Sequence, residues 1–238
     1  DNNGQKQFGQ KYINNHWYLF DKNSGVMQTG FQNLTSYGQN KVAYYAPNGQ
    51  MQFGQKYINN HWYLFDKVTG AMQTGFRNLS AYGQNKTVYY ASNGQMQFGQ
   101  QNINGRWYLF DKLTGAMQTG FLNLAPYGQN KTVYYASNGQ MKFGWQNINN
   151  KKYYFDTLTG AMKTGTVNIN GKNYTFNSDG TLKQDTWGWP FPSVGQGSFT
   201  GAQLFGVNPG GEFRMNGFHD GLDFGSYDHP GSSVHAVH

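Results

Sequence analysis

The chain has 238 residues, 33 of them glycine and none cysteine, with a formal net charge of +7. Only 37% is hydrophobic and aromatic residues alone make up 18%. That composition excludes one large aliphatic core and favours small units that stack flat, amphipathic rings. Without cysteine there is neither a disulfide frame nor a thiolate zinc site. No apolar run is long enough to cross a bilayer.

Along the chain, the first element is Phe8-Gly-Gln-Lys-Tyr-Ile-Asn-Asn-His-Trp-Tyr-Leu-Phe-Asp21, which returns at Phe53, in edited form at Phe98 and more loosely at Phe143. A period of 45 residues held this strictly defines a repeat array. Asn48-Gly-Gln-Met-Gln-Phe-Gly54 recurs at Asn93 and Asn138, and a relative of it starts at Asn3. The chain is therefore expected to open on the tail of a repeat. The first residues lack a signal-peptide pattern, which means little for a chain that starts mid-repeat.

Each half of the period reads as one hairpin. Ile58-Asn-Asn-His-Trp-Tyr-Leu-Phe-Asp66 places two short strands around an Asn-Asn turn, and Ile103-Asn-Gly-Arg-Trp-Tyr-Leu-Phe-Asp111 carries the stronger Asn-Gly signal. The second half has a longer loop between Asn78 and Tyr90, then the turn Ala91-Ser-Asn-Gly94. With the segments ending at Phe155 and Phe176, this predicts eight hairpins and no helix. A lone hairpin is marginal in water, so these must bury their faces on one another. The expected fold is all-β, a β-solenoid of stacked β-hairpins over residues 1–183, followed by a truncated β-rich segment over 184–238. Alternation sends Trp62 and Leu64 to one face and Tyr63 and Phe65 to the other. One face is expected to build the core, leaving the opposite aromatics in grooves near the surface.

Charge changes where the period ends. Residues 1–183 carry 17 Lys and Arg against 6 Asp and Glu, whereas residues 184–238 carry one Arg against five acids. The basic part suits long-range attraction to an anionic polymer. Its lysines are scattered, as on a surface kept soluble, rather than clustered for nucleic acid, so no nucleic-acid partner is expected.

The run Trp-Tyr-Leu-Phe-Asp, a Thr-Gly or Ser-Gly turn, Met, and Thr-Gly-Phe resembles the cell-wall-binding and glucan-binding repeats of Gram-positive surface proteins. That superfamily includes the choline-binding repeats. The resemblance spans about residues 1–183 and implies a secreted, cell-wall-associated protein whose aromatic grooves bind sugars or choline. Where the choline-binding version has Gly-Trp after the turn, this chain has Gly30-Phe31, Gly75-Phe76, Gly120-Phe121 and Gly165-Thr166. A quaternary ammonium is held best by Trp faces, so cell-wall polysaccharide, glucan or peptidoglycan is the better expected partner.

A sugar needs an aromatic plate and flanking amides. Trp17, Trp62 and Trp107 recur at one phase beside Tyr18, Tyr63 and Tyr108, and Gln39, Gln84 and Gln129 recur in the longer loops. These are the candidate glycan-binding residues; the competing reading makes the rings solenoid core only. Lys152 takes the Trp phase at the fourth step, where a weak or absent site is expected. Several weak sites on one rod would gain avidity for a polymer.

After Lys183 the frame fails, and Trp187-Gly-Trp-Pro-Phe-Pro192 opens a different segment. Its His219 and Asp223 are a weak zinc signal alone, because a catalytic zinc takes three protein groups. The surrounding Phe-His-x-Gly-x-Asp-Phe, with Pro-Gly and Val-x-Ala following, resembles the start of the M23 (LytM/lysostaphin-type) zinc peptidases, which cut peptide bonds in peptidoglycan. That resemblance implies His219 and Asp223 as the first two zinc ligands. The family's third ligand and catalytic histidine have no match before His238; His229, His235 and His238 read as ordinary loop or strand residues. The expectation is a wall-targeting module of a peptidoglycan-hydrolysing zinc metalloendopeptidase, itself catalytically incomplete as given. The alternative is a glucan-binding or adhesion module with no peptidase activity.

Overall fold

A computed structural model describes residues 5–183. Eight antiparallel hairpins follow one another. β1 (Gly9–Ile13) pairs with β2 (His16–Phe20), to which β3 (Met27–Gln28) adds a short third strand. Next come β4 (Gly30–Asn33) with β5 (Val42–Tyr45), β6 (Gly54–Ile58) with β7 (His61–Phe65), and β8 (Gly75–Asn78) with β9 (Thr87–Tyr90). Then β10 (Gly99–Ile103) pairs with β11 (Arg106–Phe110), and β12 (Gly120–Asn123) with β13 (Thr132–Tyr135). The last two are β14 (Gly144–Ile148) with β15 (Lys151–Phe155) and β16 (Gly165–Ile169) with β17 (Lys172–Phe176).

The short turns have the expected chemistry. Asn59 and Asn60 sit at φ 48° and 65°, and Asn104 at φ 52° precedes a left-handed Gly105. Two successive positive φ values are the type I′ signature that matches strand twist, and Asn tolerates them better than other non-glycine residues. The longer loops are more ordered than the sequence implies. Each holds one 3-10 turn (Thr35–Tyr37, Ser80–Tyr82, Ala125–Tyr127), so the expectation of no helix holds except for these single turns. Asn78 starts one of them by accepting from the Ser80 amide and hydroxyl at 2.8 and 2.6 Å.

Neighbouring hairpins are joined by backbone as well as side chains. At every step but the last, where Leu182 takes its place, a methionine amide donates to the preceding hairpin: Met51 to Trp17 O, Met72 to Val42 O and Met96 to Trp62 O, at 2.7–2.8 Å. The methionine side chain lies on the next turn glycine. A Cβ on Gly94 would stand 2.4 Å from Met72 Sδ, and one on Gly70 would stand 2.8 Å from Met51 Cε.

The core is segmented between hairpins. Leu64, Leu79, Val88, Tyr90 and Met96 form one buried cluster, while Ile58, Tyr63 and Phe65 form another against Tyr44 and Met72. Leu64 and Phe65 thus face opposite neighbours, and both faces of an inner hairpin are covered. This corrects the expectation that Tyr63 stays near the surface: it is 7% exposed, because the preceding hairpin packs on it.

Candidate functional site

Two kinds of joint alternate. Between the first and second hairpins, Gln10 Nε2 donates to the Tyr45 hydroxyl at 3.0 Å, and Gln39 Nε2 donates to Gln10 Oε1 at 2.7 Å. The same chain recurs as Gln84–Gln55–Tyr90 and Gln129–Gln100–Tyr135. Burial pushes Tyr45, Tyr90 and Tyr135 up to about 12, a rise the glutamine donors only partly oppose. Gln39, Gln84 and Gln129 are therefore internal bridges, each donating from its carboxamide to a glutamine of the neighbouring hairpin.

The alternate joints are aromatic. Phe31 lies 4.8 Å, centroid to centroid, from both Tyr44 and Tyr63, with the rings tilted by 57° and 53°. Phe76 with Tyr89 and Tyr108, and Phe121 with Tyr134 and Tyr153, repeat the arrangement. Phe31 remains 39% exposed. Between the last two hairpins the joint is Trp145 with Tyr154 and Tyr174, and Lys152 Nζ sits 4.8 Å from the Trp145 ring.

Beside the first aromatic joint lies a groove of about 300 Å³, lined by Tyr44, Ala46, Gln52, Lys56, Tyr57, Ile58 and Asn59. Tyr57 on β6 stands opposite Trp62 on β7, with centroids 5.1 Å apart. The pair is 58% and 36% exposed, so it offers ring surface to a ligand, and Tyr57 shares the groove lining with the carboxamides of Gln52 and Asn59. Tyr12 and Trp17 form the same pair on the first hairpin, whereas Asn102 and Asn147 stand opposite Trp107 and Lys152.

Of the predicted site residues, Trp17, Trp62 and Trp107 are thus exposed, while Tyr63 and Tyr108 are buried. Tyr18 is half-buried and accepts from Gln50 at 3.4 Å, while Tyr63 accepts from Gln95 at 3.2 Å. His219 and Asp223 lie outside the described residues, as do His229, His235 and His238. The sequence reading missed Tyr44, Lys56 and Tyr57; for Lys56 and Tyr57 the available signal was their loss at later steps, where Gln101-Asn102 and Gln146-Asn147 replace them, while Tyr44 recurs as Tyr89 and Tyr134.

Several lysines are structural. Lys41, Lys86 and Lys131 donate to the Thr69, Thr114 and Thr159 carbonyls at 2.5–2.6 Å. Lys67 and Lys112 reach the Ala81 and Pro126 carbonyls and cover the rings of Tyr82 and Tyr127 at 4.7 Å. Asp66, Asp111 and Asp156 cap the turns that follow the odd-numbered hairpins, and the Thr amides and hydroxyls they accept from hold their carboxyls below the usual range; for Asp156 the paired Lys163 is the larger cause.

This is a repeat-built binding surface, with ring faces and amides presented between stacked hairpins. The "Choline-binding repeat" family matches residues 128–166, and the "Putative cell wall binding repeat" family matches residues 11–27 and 56–72. CbpJ from Streptococcus pneumoniae is 30% identical over 78% of this chain and 69% of its own, with a TM-score of 0.65. Choline-binding protein F from the same organism, solved with a peptidoglycan analogue (tetrasaccharide-pentapeptide), is 26% identical over 76% of this chain and 67% of its own, with a TM-score of 0.62. No curated protein sequence matches the chain. The chain belongs to the choline-binding repeat family of cell-wall-binding repeats. Among the described residues, no helix is long and apolar enough to cross a membrane.

Proposed function

We propose that the array binds carbohydrate of the Gram-positive cell wall and holds the secreted protein there. The observation that carries this is the exposed Tyr57–Trp62 pair, whose Tyr57 lines a groove with the carboxamides of Gln52 and Asn59, supplying the ring faces and hydrogen-bonding amides that a sugar requires. The family membership and the relative solved with a peptidoglycan analogue support it. Purified walls should retain the protein, and Tyr57→Ala/Trp62→Ala should weaken retention several-fold with folding unchanged; undiminished retention refutes the reading.

A second ligand class is favoured by one observation. The cationic Lys152 already rests on Trp145, which, unlike Phe31, Phe76 and Phe121, supplies an indole face. Gly144-Trp145 thus supplies, at another phase of the repeat, the Gly-Trp step that Gly30-Phe31, Gly75-Phe76 and Gly120-Phe121 lack. A quaternary ammonium of a choline-bearing wall polymer would compete with Lys152 there.

The array's cargo is a further part of the proposal. The resemblance over residues 187–238 supports a peptidoglycan-hydrolysing zinc metallopeptidase, with His219 and Asp223 as two of its zinc ligands. A protein extended beyond His238 should bind one zinc and lose it on His219→Ala. A metal-free extended protein would leave the glucan-binding or adhesion module as the better reading.

A further inference from the structure

We infer that the array carries two complete sugar platforms and one partial one, and that the residue opposite each tryptophan sets the affinity. The complete platforms are Tyr12–Trp17 and Tyr57–Trp62; the partial one is Trp107, whose strand partner is Asn102. This rests on the wall-carbohydrate reading and adds the number and rank of its sites. Directly paired residues of an antiparallel ladder project from one face of the hairpin. Tyr12 and Trp17 meet at 5.1 Å and 50°, Tyr57 and Trp62 at 5.1 Å and 51°, so the two platforms share one geometry. The three tryptophans are 36%, 36% and 37% exposed. Tyr12 and Tyr57 therefore add a ring, more than half exposed, without covering the indole beside it. A sugar ring reaching past the indole gains a second apolar face at the first two steps and none at the third.

The hairpin turn does not require the tyrosine. Cross-strand ring pairs stabilise hairpins, and both pairs stand next to an Asn-Asn turn. Yet β14 and β15 close on Asn149-Asn150 with Asn147 opposite Lys152, where neither partner is aromatic. Asparagine at this place has a local use instead: Asn102 accepts from the Gly105 amide and Asn168 from the Gly171 amide, both at 3.1 Å. Tyrosine replaces that bond with exposed aromatic surface, which serves a ligand rather than the turn.

The test is an NMR titration of the full chain with a glucose hexasaccharide and an N-acetylglucosamine tetrasaccharide. The Trp17, Trp62 and Trp107 indoles are read separately in wild type, Tyr57→Asn and Asn102→Tyr. Each substitution copies the residue that another step carries at that place. Trp17 and Trp62 should titrate together, and Trp107 about fivefold more weakly. Tyr57→Asn should move Trp62 to the Trp107 midpoint, and Asn102→Tyr should move Trp107 to that of Trp62. Because the two exchanges act in opposite directions, a folding defect cannot imitate both. Grading seen with one oligosaccharide alone supports the inference and assigns the platforms to that polymer. Equal midpoints at the three indoles, or midpoints that neither exchange moves, overturn the inference and leave the wall-carbohydrate reading standing. Silence of all three indoles to both sugars overturns both.

Discussion

Replacing Gly94 with alanine isolates what sets the offset between hairpins. Gly94 has φ +82°, and an added Cβ would lie 2.4 Å from Met72 Sδ and 3.0 Å from both Cε and Cγ. Holding an L-residue in that left-handed region costs about 1–2 kcal/mol. Met72 packs against the Ile58, Tyr63 and Phe65 cluster, so its displacement forces a poor rotamer for about 1 kcal/mol more. Gly94→Ala should therefore destabilise by about 2–3 kcal/mol, or about 4–12 °C in melting temperature for a domain of this size. Met72→Ala removes the obstructing atoms, so in the double variant only the backbone part of the Gly94→Ala cost should remain, a coupling of about 1 kcal/mol. Urea unfolding followed by near-UV circular dichroism on all four proteins measures this. Strictly additive effects would refute the idea that methionine and turn glycine interlock.

Other expectations follow from the same joints. Tyr45, Tyr90 and Tyr135 have folded values raised from 10.0 to about 12, so the stability they contribute is complete below pH 10 and lost as pH rises toward 12. Phenolate absorbance should show three late-titrating tyrosines, and the fold should fail as they ionise. Asp66 and Asp111 are lowered, so their turn contribution is present above pH 4 and fades as pH falls through the folded values; Asp66→Ala should flatten that acid limb of the stability profile. Wall retention should fall as salt rises if the basic array adds long-range attraction, and a salt-independent pull-down would assign retention to neutral contacts. Lys152→Gln should free the Trp145 face, raising choline affinity several-fold by fluorescence titration, and an unchanged affinity would remove the competition proposed at that joint.

Most of the fold was legible because the period and the turn chemistry are local. Asn59-Asn60 and Asn104-Gly105 carry the local signature of type I′ turns, and such pairs close five of the eight hairpins, the other three following from the longer loops that recur between them. Alternation along Trp62–Phe65 separates two faces but carries no information about how many neighbours a hairpin has, so the burial of Tyr63 was out of reach. The recurrence of Gln39, Gln84 and Gln129 fitted a ligand as well as it fitted a bridge. Only three dimensions bring each glutamine to a partner 29 residues away. Lys56 and Tyr57 were visible as departures from the repeat, but a departure gains meaning once a groove is seen beside it.

The alternation of carboxamide-bridged and ring-packed joints also constrains how such a chain can change length. Removing the second hairpin would set the glutamine face of the first against the Tyr63 and Phe65 face of the third, leaving carboxamide donors stranded beside rings. Excising a whole period restores every contact across the splice. Arrays of this design should therefore grow and shrink by duplicating or losing paired units, and Trp145, standing where glutamine belongs, marks the point beyond which that interchange no longer fits.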